Sequence, residues 1–135
     1  MFMSQKIRTT ECHCGNVTLI CTGEPIRTSI CHCFECQKRT GSVFGVQARF
    51  DKEHVTLNGE VTCYTRMGDD GSEVQYEFCP SCGTTMRLLV STFPEIMIIP
   101  VGLFTDKEFH QPTVSIYEQR KHGWVSFECT MEHIR

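Results

Sequence analysis

Short segments rich in β-branched and aromatic residues recur along the chain, and turn-forming residues separate them. This pattern predicts ten strands, at Asn16–Thr22, Arg27–Cys31, Val43–Phe50, His54–Leu57, Glu60–Arg66, Glu73–Cys79, Thr84–Val90, Glu95–Val101, Val114–Glu118 and Trp124–Phe127. One short helix is predicted at Phe34–Thr40, where Gly41 would end it. Because no linker or low-complexity tract divides the pattern, we predict a single mainly-β domain over residues 1–135 that consists of two small antiparallel sheets.

Turn signals lie between these strands. Gly23-Glu24-Pro25 follows the first strand, and Gly68-Asp69-Asp70-Gly71 precedes the sixth. Asn58-Gly59 stands between the fourth and fifth strands and predicts a hairpin there.

Composition narrows the class of protein. Of the 135 residues, 40% are hydrophobic and 21% are charged, which is typical of a globular domain and not of a disordered chain. The net charge of −3 disfavours a nucleic-acid-binding surface, so we expect no nucleic-acid partner.

The N-terminal sequence bears on the compartment. Polar residues interrupt it at once, so it lacks the apolar run of a signal peptide. The longest apolar stretch, Ile96–Val101, has the length of a strand and not of a membrane helix, so we expect no membrane partner. We therefore predict a cytoplasmic location, where stable disulfides are rare.

Cysteine is the unusual component, with ten residues, of which seven fall into three motifs. These motifs are Cys12-His13-Cys14-Gly15, Cys31-His32-Cys33-Phe34-Glu35-Cys36 and Cys79-Pro80-Ser81-Cys82-Gly83. The remaining three, Cys21, Cys63 and Cys129, are predicted to be small buried hydrophobic side chains. We predict that Trp124 also belongs to the core.

The third motif is the most specific signal for a metal. A CxxC turn followed by glycine places two sulfurs on one ion, and zinc takes about four ligands. The alternative is a redox pair, but no βαβ pattern surrounds Cys79 and Cys82. Cys12 and Cys14 are the natural partners, and together the four thiolates would form a closed, structural zinc site.

The middle motif supplies three thiolates, Cys31, Cys33 and Cys36, and three protein ligands leave a tetrahedral position open for catalysis. Two alternatives remain: three free thiols, or a closed site with a fourth ligand. His32 is an awkward fourth ligand, because on an extended segment its side chain points away from its neighbours'. The more distant candidates for that position are His13, His54, His110, His122 and Cys129.

A zinc ion held by three thiolates is a weak Lewis acid, but it suits the binding of a further thiol as thiolate. Such a thiolate can attack a small electrophile such as an aldehyde. Lys38 and Arg39 follow this motif and are candidates to meet the carboxylates of a thiol substrate, the alternative being a solvated helix face.

These motifs, in this order, resemble the glutathione-dependent formaldehyde-activating family, also called the centromere-protein-V-like family. The match runs from about Glu11 to about Phe127. The matching residues are Cys12-x-Cys14-Gly15-x-Val17, Cys31-His32-Cys33-x-x-Cys36-x-Lys38, Gly41-Ser42 with Phe44, Phe78-Cys79-x-x-Cys82-Gly83, and Lys121 with Trp124.

The resemblance implies a mainly-β fold of small coiled antiparallel sheets with zinc-ribbon-like cysteine knuckles and two zinc ions per chain. It implies structural zinc on Cys12, Cys14, Cys79 and Cys82, and catalytic zinc on Cys31, Cys33 and Cys36. The implied activity is a carbon–sulfur lyase-type addition of glutathione to formaldehyde, giving S-hydroxymethylglutathione. The rival hypothesis is a non-catalytic zinc-binding module that recognises a protein partner. Oligomeric state is not predicted.

Overall fold

The computed structural model describes residues 5–135 as eleven strands, one α-helix and three short 3₁₀ turns. The strands are β1 (Ile7–Glu11), β2 (Thr18–Thr22), β3 (Arg27–Cys31), β4 (Gly45–Asp51), β5 (Val55–Asn58), β6 (Thr62–Met67), β7 (Glu73–Phe78), β8 (Thr85–Val90), β9 (Ile96–Pro100), β10 (Val114–Ile116) and β11 (Glu132–His133). The helix is α1 (Phe34–Thr40). The interpretation that no signal peptide is present rests partly on residues 1–4, which lie outside the described residues.

The strands form two sheets, which confirms the mainly-β prediction. The smaller sheet has three antiparallel strands in the order β1-β2-β5. The larger sheet has eight strands in the order β11-β10-β3-β4-β9-β8-β7-β6. Most of its pairs are antiparallel, but β10 runs parallel to both β3 and β11, a feature that the sequence pattern did not indicate.

The main core contains residues from both sheets. Leu19 of β2 and Phe50 of β4 are fully buried in one cluster, together with Met86 of β8 and Ile99 of β9. Because successive side chains of a strand point to opposite faces, Arg49 of β4 lies on the face away from this core. That second face of the large sheet is therefore free to line a site.

The predicted helix at Phe34–Thr40 and the predicted strand at Arg27–Cys31, which is β3, are confirmed to the residue. Cys33 caps α1, since its sulfur accepts a hydrogen bond from the Cys36 amide. Gly41 ends the helix in the left-handed conformation, with φ of 75°. The turn at residues 68–71 also forms, joining β6 to β7 through a Gly71 N–H bond to the Gly68 carbonyl.

The hairpin predicted at Asn58-Gly59 is wrong. β5 pairs with β2 in the small sheet and β6 pairs with β7 in the large one, so this turn moves the chain between sheets. Gly59 has a φ of 105°, and a Cβ there would lie 2.4 Å from the Asn16 carbonyl oxygen. The glycine is therefore required by a close backbone approach and not by a hairpin turn.

Other strand predictions differ from the structure at the ends of the chain. β1 and β11 were not predicted, and residues 124–127 form no strand. Trp124 is 74% exposed and does not belong to the core. Cys21 is buried as predicted, whereas Cys63 is exposed because β6 is the edge strand of the large sheet, and Cys129 is half-buried.

Within residues 5–135, no helix combines the length and the apolar character needed to cross a membrane.

Candidate metal centres

The structure brings together the four cysteines of the first and third motifs, here called the closed cluster (Cys12, Cys14, Cys79 and Cys82). Their sulfurs all lie within 4.8 Å of one another. Cys12 and Cys14 belong to the turn between β1 and β2, and Cys79 and Cys82 to the turn between β7 and β8. The cluster thus joins a turn of the small sheet to a turn of the large one.

Both turns of the closed cluster have the same local construction. The Gly15 amide donates to the Cys12 carbonyl at 3.0 Å, and the Gly83 amide donates to the Cys79 carbonyl at 2.8 Å. These glycines have φ of 85° and 78°, a conformation that other residues rarely adopt. The glycine after each cysteine pair therefore closes the turn that points both sulfurs inward.

The spacing of the sulfurs fits a tetrahedral zinc ion. Cys14 Sγ lies 3.6 Å from Cys12 Sγ and 3.7 Å from Cys79 Sγ. Four thiolates at the usual zinc–sulfur distance stand about 3.8 Å apart. The closed cluster can therefore hold a metal ion without rearrangement of its backbone.

Hydrogen bonds support thiolates in the closed cluster. Thr84 Oγ1 lies 3.2 Å from Cys82 Sγ, and this bond lowers the pKa of Cys82 to about 5. The same hydroxyl accepts a hydrogen bond from the His13 amide at 3.1 Å, which links the two cysteine turns. The Val17 amide donates to Cys12 Sγ at 3.3 Å. Hydrogen bonds of this kind hold metal-binding thiolates in position.

The structure also brings together Cys31, Cys33 and Cys36, here called the open cluster, with all three sulfurs within 4.8 Å of one another. Cys31 ends β3, Cys33 caps α1, and Cys36 lies in the first turn of α1. Among residues 5–135, no histidine, carboxylate or further cysteine joins this group. The open cluster therefore offers three protein ligands and leaves a fourth position free.

Close packing prevents three thiolates from forming together without a cation. Hydrogen bonds from the neighbouring sulfurs of Cys31 and Cys36 lower the pKa of Cys33 strongly. The thiolate formed there, through its hydrogen bond with Cys31, raises the pKa of Cys31 far above its ordinary value. One negative charge is thus shared by three sulfurs, and a divalent cation would allow all three to ionise.

His32 does not take part in the open cluster. Its ring is fully buried, and Nε2 lies 2.9 Å from Ser115 Oγ of β10. Phe44 and Phe127 pack against it, with ring centroids 6.1 and 5.9 Å from the imidazole. The predicted orientation, away from the flanking cysteines, is confirmed, and His32 serves to anchor β3 to β10.

The open cluster lines a cavity of about 350 Å³ on the face of the large sheet away from the core. Its floor carries apolar side chains of β7, β8 and β9, namely Val74, Leu88, Val90 and Ile98. Gln47 of β4 also lines the cavity, and its Nε2 donates to Cys36 Sγ at 3.5 Å. The three sulfurs are therefore reachable by a ligand of several heavy atoms.

Three arginines, Arg49, Arg66 and Arg120, line the same cavity. The Arg66 Nε donates to the Tyr76 hydroxyl at 2.6 Å, and its positive charge helps to lower the pKa of Cys33. Arg120 lies over the rings of Phe34 and Tyr117. The cavity therefore combines thiols, an apolar floor and cationic walls.

Sequence reasoning did not single out Arg49, Arg66 or Arg120. Arg49 could have been found from strand alternation, since it follows Gln47 on the face of β4 opposite to Phe50. No local pattern marks Arg66, because only the pairing of β6 with β7 brings it to the cavity. Lys38, which the sequence offered as a glutathione contact, is largely exposed, pairs with Glu35 at 3.6 Å and does not line the cavity.

Comparisons with known proteins agree with this geometry. The family model described as "Glutathione-dependent formaldehyde-activating enzyme" matches residues 7–120. A crystal structure of a Rhodobacter sphaeroides protein is similar in fold, with a TM-score of 0.54 and 19% sequence identity. That similarity covers 76% of this chain and 90% of the other. No curated protein matches the sequence significantly.

Proposed function

This chain belongs to the glutathione-dependent formaldehyde-activating family, and we propose that it adds a thiol, glutathione, to a small aldehyde such as formaldehyde. The observation that supports this proposal most directly is the open cluster, whose three sulfurs lack a fourth protein ligand among residues 5–135 and face a cavity of about 350 Å³. The reaction is of the carbon–sulfur lyase type, as in S-(hydroxymethyl)glutathione synthesis.

The proposed cofactors are two zinc ions per chain. Cys12, Cys14, Cys79 and Cys82 would hold a structural ion, since four thiolates leave no free position. Cys31, Cys33 and Cys36 would hold the second ion, which, when bound, supplies a position where an incoming thiol is kept as thiolate.

The residues of the chain have separable roles in this proposal. Gln47 and the Cys36 amide donate hydrogen bonds to the cluster sulfurs and so fix their positions. The apolar floor excludes water from one side of the substrate, and the positive charge of Arg66 stabilises negative sulfur nearby. In the addition, a sulfur–carbon bond forms, the carbonyl π bond breaks, and the carbonyl oxygen takes up the proton that the thiol loses.

We also propose a cytoplasmic location for this reaction. All ten cysteines are free thiols in the structure, including the exposed Cys14 and Cys63. The cytoplasm is a reducing compartment in which disulfides are rare, so such thiols stay available for metal binding.

The test uses zinc-loaded protein, glutathione and ¹³C-formaldehyde at equilibrium, and measures by exchange NMR how fast the free and adduct forms interconvert. We expect the wild-type chain to accelerate this exchange, the Cys33→Ser variant to lose the acceleration, and the Cys129→Ser variant to keep it, because Cys129 lies outside both clusters. If the zinc-loaded wild-type chain does not accelerate the exchange, the enzyme is rejected and the non-catalytic zinc-binding protein-interaction module is favoured.

A further inference from the structure

Two arginines face each other on neighbouring strands beside the cavity. Arg27 of β3 and Arg49 of β4 are direct cross-strand partners. Like charges placed directly opposite each other destabilise a sheet. The positive charge of Arg27, after burial, is the second cause that lowers the pKa of Arg49. This arrangement therefore costs stability in the free protein.

No carboxylate among residues 5–135 neutralises this pair of arginines. Neither arginine takes part in an ion pair, and the Nε of Arg27 is buried without a hydrogen-bond partner. The Arg49 guanidinium lies over the Phe93 ring, 5.0 Å from its centroid, which holds the charge at the cavity wall.

The acidic groups of the cavity are already engaged elsewhere. Glu35 pairs with Lys38, and Asp69 pairs with Arg120. Asp70 accepts hydrogen bonds from the amide and hydroxyl of Ser72. Among residues 5–135, neither Arg49 nor Arg66 has a carboxylate partner, but the Arg66 side chain is held by the Tyr76 hydroxyl. An anionic ligand group would supply the missing partner of Arg49.

The strand register sets the backbone separation between Arg49 and the open cluster. Cys31 pairs with Gly45, and Arg49 lies four residues further along β4 on the same face. Four residues of extended strand span about 13 Å. Apolar residues such as Leu88 and Ile98 line the cavity floor beside this path.

We propose that Arg49 is the residue that sets specificity for the length of the thiol substrate, by binding a substrate carboxylate that lies far from the substrate sulfur. This inference rests on the proposed function, since it assumes that the substrate sulfur meets the open cluster. Arg49 then selects peptide-sized thiols over short ones, because a short thiol acid cannot reach both groups at once. Charge-assisted hydrogen bonds from its guanidinium would supply the affinity.

The test compares two matched pairs of probes on zinc-loaded protein by calorimetry. The long pair is 8-mercaptooctanoate and 8-mercapto-1-octanol, and the short pair is 3-mercaptopropionate and 3-mercapto-1-propanol. We expect the long acid to bind roughly tenfold or more tightly than the long alcohol, and the short acid to gain no such advantage. Equal affinity within the long pair would overturn the inference.

Variants then assign the effect to a residue. Arg49→Gln should remove the advantage of the long acid and leave the affinity of the long alcohol unchanged, while Arg49→Lys should keep part of it. Lys52→Gln is the charge-matched control, since Lys52 pairs with Glu95 at the surface. Loss of the advantage in Arg66→Gln and not in Arg49→Gln would overturn the assignment.

Two further measurements distinguish loss of the Arg49 contact from loss of the fold, and failure of this inference from failure of the proposed function. The melting temperature of Arg49→Gln should equal or exceed that of the wild type, because the substitution removes a like-charge pair. Octanoate, which has no thiol, reports on Arg49 alone. If octanoate binds as tightly as 8-mercaptooctanoate and the thiol alcohols do not bind, the proposed function fails while the carboxylate site stands.

Discussion

The two cysteine clusters use the same ligand atom in different ways. The closed cluster draws its sulfurs from two turns, and Cys14 and Cys79 are 65 residues apart in the sequence. The open cluster draws all three sulfurs from the segment 31–36 at the start of one short helix. A metal on the first would close a long loop of the chain, whereas a metal on the second would close only a local turn.

Their surroundings differ as well. Cys12 and Cys79 are fully buried in the main core together with Leu19 and Met86. The open cluster packs separately, against Ile116 and Tyr117, and faces the cavity. The comparison indicates that ligand loss should disrupt the fold at the closed cluster and the chemistry at the open one.

The largest expected effect is that of Cys82→Ser at the closed cluster. Structural zinc sites contribute about 10–16 kcal/mol, which is comparable to the whole stability of a domain. We expect the variant to unfold or aggregate, as measured by soluble yield and circular dichroism. Cys129→Ser, outside both clusters, should remain soluble and folded. A Cys82→Ser chain with the wild-type melting temperature would contradict the structural role of this cluster.

Next in size is Cys33→Ser at the open cluster. Serine is a good N-cap and can replace the sulfur that accepts from the Cys36 amide, so α1 should persist. We expect the bound zinc to fall from two ions per chain to one, with loss of thiol binding and little change in melting temperature. If this variant loses as much stability as Cys82→Ser, both clusters are structural and the proposed enzyme is rejected.

Sequence spacing was sufficient to separate the two clusters, because each ligand set is made of local turns with their own residue pattern. Cys79-Pro80-Ser81-Cys82-Gly83 encodes its turn locally, and so does the helix that follows Cys33. Segments rich in β-branched and aromatic residues between turn residues likewise located most of the strands.

The wall of the cavity could not be predicted in the same way. Arg66 reaches it through pairing of β6 with β7. Alternation along β4 marks the face on which Arg49 lies, but only the order of strands in the large sheet makes that face the wall of a cavity. Sheet order and register between distant strands are set by tertiary packing and leave no local pattern. The exposure of Trp124 has the same origin, because its neighbourhood forms no strand and no layer covers it.

A smaller effect is expected from Ser115→Ala, which removes the partner of His32 Nε2. Leaving that buried nitrogen without a hydrogen bond should cost about 1–3 kcal/mol of unfolding free energy. Denaturant unfolding would measure it, and zinc analysis should still give two ions per chain. Loss of one ion would show that His32 positions the open cluster. The open cluster would then depend on the packing of the fold, as the closed cluster does.

The smallest expected effect is a shift in the pH at which the closed cluster releases its metal. Thr84 is the main cause of the low pKa of Cys82, about 5, so Thr84→Val should raise that pKa toward the ordinary thiol value. Protons compete with the metal for thiolates, so release on acidification should begin at a higher pH, by about half a unit to one unit.

Zinc release can be followed with a chromogenic chelator during acid titration, and the two ions should separate into two steps. Thr84→Val should move only the step that accompanies loss of circular dichroism, because Thr84 contacts Cys82 and not the open cluster. Gln47→Leu removes the donor to Cys36 and should move only the other step. Thr85→Val is the control for the loss of a threonine hydroxyl that does not contact Cys82, and it should move neither step. If either substitution moves both steps equally, the clusters are coupled, and the division into a structural and a reactive centre fails.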